Sequence, residues 1–264
     1  MDDILKKILA TKHEEIAEKM QSLPLSEIRI LAQSKTETRD FLEQIKKSAS
    51  QNTPAVIAEI KRASPSKGII REHFDPIEIA LSYERHGATC LSILTDSQYF
   101  QGSDNFIAQV KEQVNLPILR KDFIIDPYQV YEAKILGADC ILLIVAALKV
   151  DKLAELFDLA TTLELDVLVE VHDFTELEQA LKLNIEMVGI NNRNLKTFET
   201  SLTTTIDLLY NIPSSVTVVT ESGIKNSEDI SLMRANNVNC FLVGEAFMRA
   251  EDPGIALKEL FYSV

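Results

Sequence analysis

Residues 117–127 read Pro117-Ile118-Leu119-Arg120-Lys121-Asp122-Phe123-Ile124-Ile125-Asp126-Pro127, and they contain the unit from which the fold is built. A short apolar run ends in charged side chains. Asp126-Pro127 then offers a capping carboxylate followed by a proline at the first helical position, where its missing N–H costs nothing. Gly137 fits the left-handed position that ends a helix, and a second apolar run follows it. The pattern predicts strand, helix and strand.

The same unit repeats at intervals of roughly 25 residues, the length of a strand with its crossover helix. Asp75-Pro76 and Asp252-Pro253 mark further helix starts, Thr175 with Glu178 fits a capping box, and Gly87 fits another helix end. Eight strands are predicted, near Val56–Lys61, Thr89–Thr95, Pro117–Lys121, Asp139–Val145, Asp166–Val171, Met187–Asn191, Val216–Thr220 and Asn239–Val243.

Eight alternating units can form a doubly wound open sheet or a closed barrel. No GxGxxG or GxxxxGK[ST] motif follows any strand, which favours an α/β fold of the single (β/α)8 TIM-barrel type. The 264 residues, 46% of them hydrophobic, suit one catalytic domain over residues 1–264, with the barrel in 53–264. Residues 1–52 carry apolar positions at helical spacing, such as Ile4, Ile8 and Leu9, and are expected to form an N-terminal helical extension.

The composition of the chain indicates its cellular compartment and disfavours some classes of binding partner. Cys90, Cys140 and Cys240 lie in apolar strand-like segments without CxxC spacing, so buried thiols in a reducing cytoplasm are expected. Met1-Asp2-Asp3 lacks the cationic start of a secretory signal, and no apolar run reaches the roughly 20 residues of a membrane span. The net charge of −13 disfavours nucleic-acid binding but not a small anion in one cleft. We expect a cytoplasmic monomer or weak homo-oligomer, with no nucleic-acid or membrane partner.

The predicted strands end on polar residues, and in a parallel barrel these ends form the active face. Glu59 and Lys61 are two residues apart, so a strand places both on one side of the pleat. Lys121 and Glu170 close two other strands and provide an acid and a base if burial and neighbours bring their pKa values nearer the operating pH. The alternative for either pair is a salt bridge that fills the barrel top.

The last two strands are followed by glycine-containing runs that have the form of a barrel phosphate site. Glu221-Ser222-Gly223-Ile224 follows strand seven, and Gly244-Glu245-Ala246-Phe247 follows strand eight. Glycine lets the backbone approach an oxyanion, serine donates its hydroxyl, and a short helix over Ala246–Arg249 would present free N–H groups. A glycine that serves only to turn the chain is the alternative.

Two further features are less specific. The basic loop Arg62–Gly68 can close over an anion or be an ordinary mobile loop. The four histidines, His13, His73, His86 and His172, show no metal-ligand spacing, so no metal is inferred. His172 is expected to pack or hydrogen-bond rather than to catalyse.

With these residues in view, the chain resembles the indole-3-glycerol phosphate synthase family over essentially its whole length. The resemblance depends on the order of several runs along the eight strands, since any one tetrapeptide is weak evidence. The runs are Ala58–Gly68, Ser92–Asp96, Leu119–Phe123, Val169–His172, Gly189–Leu195, Glu221–Ile224 and Val243–Met248.

The resemblance implies conversion of 1-(2-carboxyphenylamino)-1-deoxyribulose 5-phosphate to indole-3-glycerol phosphate in tryptophan biosynthesis, by a carboxy-lyase without a cofactor. It implies that Lys121 is the general acid, Glu170 the general base and Lys61 the partner of the substrate carboxylate. The residues that would orient these groups are Glu59, Asn191 and Glu221, and those that would bind substrate or its phosphate are Ser64, Arg193, Ser222, Gly223, Gly244 and Glu245. Glu245 stands where relatives often have serine or threonine, although its backbone N–H can still donate.

Several alternatives stay open at this point. The N-terminal extension is either a helix packed on the barrel or, by the resemblance, a lid over the substrate as well. The end of the chain at Val264 fits a version without a following isomerase domain. A rival enzyme class is an aldolase-like barrel that forms a Schiff base on Lys121 or Lys61. A rival of another class is a catalytically silent phosphate-binding subunit.

Overall fold

Eight parallel strands close into a barrel in the computed structural model, which describes residues 3–35, 37–194 and 197–263. Leu195 of the run Gly189–Leu195 and the chain ends Met1-Asp2 and Val264 lie outside the described residues. The strands β1–β8 are Ala55–Ile60, Cys90–Leu94, Ile118–Lys121, Cys140–Ile144, Asp166–Val171, Met187–Asn191, Thr217–Glu221 and Cys240–Val243. Each pairs with the next, and β8 pairs with β1. The predicted TIM barrel is confirmed, and each strand bound lies within one residue of its predicted position.

Thirteen α-helices of the described residues surround these strands. They are α1 Asp3–Ser22, α2 Leu25–Gln33, α3 Phe41–Ser50, α4 Pro76–Arg85, α5 Ser97–Phe100, α6 Asn105–Lys111, α7 Pro127–Leu136, α8 Val150–Thr162, α9 Phe174–Ala180, α10 Thr203–Leu209, α11 Ser227–Ala235, α12 Glu245–Met248 and α13 Pro253–Tyr262. A 3-10 turn spans Val145–Ala147, and a small antiparallel hairpin pairs Ala63–Ser64 with Gly68–Ile69.

The helix boundaries follow the predicted capping chemistry with one exception. Asp75, Asp126 and Asp252 each accept backbone N–H bonds at a helix start, and Gly87 and Gly137 have the left-handed φ values of 96° and 89°. The predicted capping box of Thr175 and Glu178 is wrong. Asp173 is the capping residue of α9, because its backbone is still extended and its Oδ1 accepts the N–H of Glu176 at 2.9 Å.

The barrel interior is built in layers of four side chains from alternate strands, the packing typical of this fold. One layer is apolar and fully buried, and its members are Ile57, Leu119, Leu168 and Val219 of the odd-numbered strands. Two residues later in the same strands, and therefore on the same side of the pleat, stand Glu59, Lys121, Glu170 and Glu221. The alternation along each odd strand thus places a charged layer directly above an apolar one.

The N-terminal extension reaches both ends of the barrel. Phe41 and Ile45 of α3 are fully buried and pack against the bottom of the barrel interior, beside Cys90 and Cys140. Burial of each such side chain stabilises the fold by roughly 1.5–3 kcal/mol. Helix α2 packs along α7, and α1 lies at the opposite, carboxyl end of the strands. The extension expected for residues 1–52 is therefore helical and packed on the barrel.

The three cysteines are buried and free, as expected, and all lie at the starts of even-numbered strands. Among the residues that the structure describes, no helix has both the length and the apolar character to cross a membrane.

Candidate active site

The charged layer at the top of the barrel gathers three glutamates around one ammonium group. Nζ of Lys121 lies 3.4 Å from Oε2 of Glu221 and 3.6 Å from Oε2 of Glu170. Oε1 of Glu59 lies 3.9 Å from the same Nζ. Each of the four residues is the last or next-to-last of its strand, which places the cluster at the carboxyl end of the barrel. The predicted acid and base face each other here, and the ion pairs expected as the alternative are present in the same contacts.

Burial makes every charge in this cluster costly, so the neighbours decide which groups keep theirs. Burial opposes the charge of Lys121, but the three carboxyl groups more than offset it and raise the pKa of its ammonium. Burial likewise opposes the charge of Glu170, yet Lys121 and His172 hold the pKa of this carboxyl below its ordinary value. The pKa values of Lys121 and Glu170 therefore move away from neutral pH and not toward it as expected, because each charge stabilises the other.

Glu221 differs from the other two glutamates. Burial, together with the carboxylates of Glu170 and Glu59, raises its pKa to about 8 in spite of Lys121. At neutral pH Glu221 is therefore mostly protonated while Glu170 is ionised. The layer holds an ammonium, two carboxylates and one neutral carboxylic acid within contact distance.

Lys61 adds a second cation to the cluster. Its ammonium forms an ion pair with Oε2 of Glu59, as the two-residue spacing predicted. Burial works against the charge of Glu59, but Lys61 and Lys121 keep the pKa of its carboxyl below the ordinary value. The hydroxyl of Tyr83 donates to the backbone carbonyl of Glu59 at 3.2 Å and so fixes the end of β1 from outside the barrel.

Two glycines leave the space that two of these carboxyl groups occupy. A Cβ atom at Gly189 of β6 would lie 2.2 Å from Oε1 of Glu221, and one at Gly244 would lie 2.2 Å from Oε2 of Glu59. Both distances are far below a real contact, so any side chain would displace the carboxylates. Gly244 was predicted as part of the phosphate region, and the structure adds this steric role. The role of Gly189 was missed, because its carboxylate partner is 32 residues away in the sequence.

Asn191, at the end of the neighbouring strand β6, and His172, just after β5, flank Glu170. The side chain of Asn191 hydrogen-bonds Glu170, and its Oδ1 accepts the backbone N–H of Arg193 at 3.1 Å. Nε2 of His172 lies 3.4 Å from Oε1 of Glu170, and Nδ1 lies 3.0 Å from Oε2 of Glu176. Burial disfavours charge on His172, but the two glutamates raise the pKa of its ring. His172 hydrogen-bonds, as expected, and it also faces the predicted base.

The loop after β7 turns sharply where a phosphate region was predicted. Ser222 and Gly223 are both left-handed, with φ of 63° and 93°. Nδ2 of the buried Asn192 donates to the backbone carbonyls of Glu221 and Ser222, each at 3.0 Å, and holds this turn in place. No local pattern in the sequence distinguished Asn192 from its neighbour Asn191.

The loops after β1, β6 and β8 meet at Arg193. Its Nη1 donates to Oγ of Ser66 at 3.3 Å, and its Nη2 lies 3.6 Å from Oε2 of Glu245. Glu245 also pairs with Arg249, at 2.9 Å, and begins α12 one residue earlier than predicted. Ser64 lies in the hairpin after β1, paired with Gly68, and its side chain is half-buried. Arg193, Glu245 and the loop of Ser64 thus surround one side of the charged layer.

The family model of indole-3-glycerol phosphate synthase matches residues 5–260 of the chain. A curated indole-3-glycerol phosphate synthase from Polaromonas sp. is 56% identical over 261 residues, which cover 99% of each chain. The chain belongs to the indole-3-glycerol phosphate synthase family. The resemblance stated from the ordered runs is confirmed, and so is the expectation of a carboxy-lyase of tryptophan biosynthesis that forms indole-3-glycerol phosphate.

Solved structures with the same fold are far more distant in sequence. KGPDC from Streptococcus mutans superimposes with a TM-score of 0.61 at 13% identity, covering 79% of this chain and 95% of that chain. A second structure of KGPDC, solved as a complex, gives a TM-score of 0.62 at 12% identity, covering 80% and 99%. At this identity the likeness shows the barrel fold alone. Within the described residues of this family member, no group of three or more His, Cys, Asp and Glu side chains is placed to hold a metal ion.

Proposed function

We propose that the charged layer carries out ring closure, decarboxylation and dehydration of 1-(2-carboxyphenylamino)-1-deoxyribulose 5-phosphate, with Lys121 as general acid and Glu170 as general base. The observation that carries this assignment is the ammonium of Lys121 lying 3.6 Å from the carboxyl group of Glu170 and 3.4 Å from that of Glu221. An acid and a base of opposite protonation state in one buried site are what a sequence of proton transfers requires.

In ring closure, the aromatic carbon that bears the carboxylate bonds to the ketone carbon, and the ketone oxygen takes a proton from Lys121. The ammonium relieves the charge that builds on that oxygen. The carboxylate then leaves as carbon dioxide, and its bonding electrons flow to the cyclised iminium and restore the aromatic ring. In dehydration, the new hydroxyl takes a proton from the reprotonated Lys121 and leaves as water, while Glu170 removes a proton from the adjacent carbon. The neutral carboxyl of Glu221 lies close enough to return a proton to Lys121.

The remaining site residues bind and orient in this proposal. Lys61 pairs with the substrate carboxylate, and Glu59 and Asn191 hold Lys61 and Glu170 in place. The phosphate is bound in the region of Ser64, Arg193, Ser222, Gly223, Gly244 and Glu245. Phe123, whose ring centroid lies 6.1 Å from that of Phe100, suits the wall of an anthranilate pocket. Leu142 is 2% exposed inside the barrel, which suits a core role.

The decisive experiment supplies the purified protein with the anilino-deoxyribulose phosphate and follows the fluorescence of the indole product. Absence of turnover at any enzyme concentration would contradict the proposal.

Borohydride treatment with substrate tests the Schiff-base rival, which needs a neutral lysine amine. The neighbouring carboxyl groups raise the pKa of Lys121 and keep its amine protonated, so we expect no trapped adduct.

We also propose that residues 1–264 form one catalytic domain, composed of the extension 1–52 and the barrel 53–264. All groups assigned to the reaction lie in a single copy of the chain, which suits a monomer or weak homo-oligomer; sedimentation velocity tests this.

Three buried free thiols suit a reducing compartment, and we propose the cytoplasm.

A further inference from the structure

Lys12 of the N-terminal helix α1 places a buried ammonium group against the active face of the barrel. The residue is 3% exposed. Its Nζ lies 2.8 Å from Oδ2 of Asp96, 3.1 Å from Oδ1 of Asp122 and 2.8 Å from Oε2 of Glu15. A lysine is almost never buried to this extent unless carboxylates compensate its desolvation, so this contact is a built site and not an incidental surface pair.

The two barrel carboxylates that receive Lys12 belong to neighbouring strand ends. Asp96 follows β2 and caps α5, because its Oδ1 accepts the backbone N–H groups of Tyr99 and Phe100 at 2.7 and 3.1 Å. Asp122 follows Lys121 directly, and its Oδ2 accepts the hydroxyl of Thr95 at 2.6 Å. Both aspartates are nearly inaccessible, with exposures of 0% and 4%. Lys12 therefore joins the segment after β2 to the residue next to Lys121.

The residue on the other side of Lys121 is held in a similar way. Arg120 is 1% exposed, and its Nη2 lies 2.8 Å from Asp104, 2.7 Å from Glu132 and 3.5 Å from Asp122. Arg120 and Asp122 point to one side of β3 and Lys121 to the other, as the pleat requires. The backbone that carries Lys121 is thus held by ion pairs at both neighbouring residues, and on the carboxyl side Lys12 makes the shorter of the two ion pairs of Asp122.

We infer that Lys12 is a positioning residue for the reaction: it fixes Asp122, and through it the direction in which Lys121 presents its ammonium to the substrate. This role rests on the proposed function of Lys121. Helix α1 therefore helps to assemble the charged layer as well as packing on the barrel. Without Lys12, two buried carboxylates would lack their shared cation beside the third strand end, and the loop of Asp122 would move to solvate them.

The test compares Lys12→Met with Thr11→Val. The hydroxyl of Thr11, the preceding residue of α1, lies 3.0 Å from the hydroxyl of Tyr99 on the barrel. Thr11→Val removes this polar contact of α1 and leaves the ion pairs on both sides of Lys121 in place, so it is the control for helix docking. We expect Lys12→Met to lower kcat by about tenfold to hundredfold, the cost of moving a reacting group by about 1 Å, with KM little changed. The dissociation constant of a substrate analogue whose ketone is reduced to an alcohol should also stay near wild type. Thr11→Val should keep the wild-type kcat.

The outcomes separate the two proposals. If wild-type protein has no turnover, the proposed function fails; if wild type turns over and Lys12→Met matches it, only the role of Lys12 fails. An equal loss of kcat in both variants would reduce Lys12 to a docking contact and overturn the inference.

Should Lys12→Met fail to fold, the double variant Lys12→Met with Asp96→Asn removes one orphaned charge and keeps the cap of α5. A folded double variant with low kcat supports positioning, whereas wild-type kcat in it overturns the inference.

Discussion

Glu170 and Glu221 both contact the ammonium of Lys121, at 3.6 and 3.4 Å, and the pKa values of their carboxyl groups are displaced in opposite directions. Two buried carboxyl groups this close cannot both ionise without a large cost, so one proton stays with the pair. His172 and Asn191 lie against Glu170 and stabilise its charge, which leaves the proton on Glu221. The asymmetry of the pair thus comes from the neighbours that each carboxyl has.

The first prediction concerns the pH dependence of stability. Because the pKa of Glu221 is raised to about 8 in the folded protein, the folded state keeps a proton that the unfolded chain loses near its ordinary pKa of about 4.3. The free energy of unfolding should therefore fall as pH rises between those values, by at most about 1.4 kcal/mol per pH unit, and level off above pH 8. Glu221→Gln should lose this slope in urea denaturation at a series of pH values. Parallel curves for both proteins would contradict the assignment, and Glu155→Gln, which pairs with Lys152 on the barrel exterior, is the control.

The second prediction uses the clearance between Gly189 and Glu221. A methyl group on Gly189 would lie 2.2 Å from Oε1 of Glu221 and 3.3 Å from Cδ1 of Leu168, so Gly189→Ala must displace the carboxyl. We expect a loss of stability of about 1–3 kcal/mol and a fall in kcat of about tenfold or more. In a Glu221→Ala background the same substitution should cost at least about 1 kcal/mol less, because the overlap is gone. Additive losses in this double-mutant cycle would show that the crowding of Leu168 alone is responsible.

Much of the fold was predictable because each signal was local. In each odd strand an apolar residue inside the barrel is followed two positions later by a charged one. Asp-Pro pairs mark helix starts wherever they occur, as at Asp75-Pro76. The one capping error, at Thr175, arose because two residues with capping chemistry stand close together. Asp173 prevails over Thr175 since it is the last residue with an extended backbone before α9.

The site was predictable only in part, because some of its contacts join distant parts of the chain. The strand ends pointed to Glu59, Lys121, Glu170 and Glu221, since parallel strands bring such residues to one edge whatever their separation. Lys12 could not be found in this way. It is an ordinary lysine of an amphipathic helix, and its partners Asp96 and Asp122 come 84 and 110 residues later. Their meeting depends on how α1 crosses the barrel, which no local pattern encodes.

The third prediction tests the acid. Lys121→Met keeps much of the length and apolar stem of lysine and removes its proton, so kcat should fall by about a hundredfold to ten-thousandfold. Substrate binding should largely remain, because the phosphate and carboxylate partners are other residues. Rapid quenching should show that ring closure itself is slowed. Lys152→Met is the control, since Lys152 pairs with Glu155 on the barrel exterior. A wild-type kcat in Lys121→Met would remove the acid role from this residue.

The fourth prediction tests the base and separates it from the acid. Glu170→Gln keeps the shape of the side chain and its bond to Asn191, but an amide cannot take a proton at neutral pH. Ring closure and decarboxylation should then proceed while dehydration stalls. Mass spectrometry of the quenched reaction should show a decarboxylated species heavier than the indole product by one water. This intermediate should be absent with Lys121→Met, where the reaction stops earlier, and with Glu155→Gln, whose carboxyl pairs with Lys152 on the barrel exterior. Unchanged turnover in Glu170→Gln would assign the base to another group, and the neighbouring Glu221 would be the first to examine.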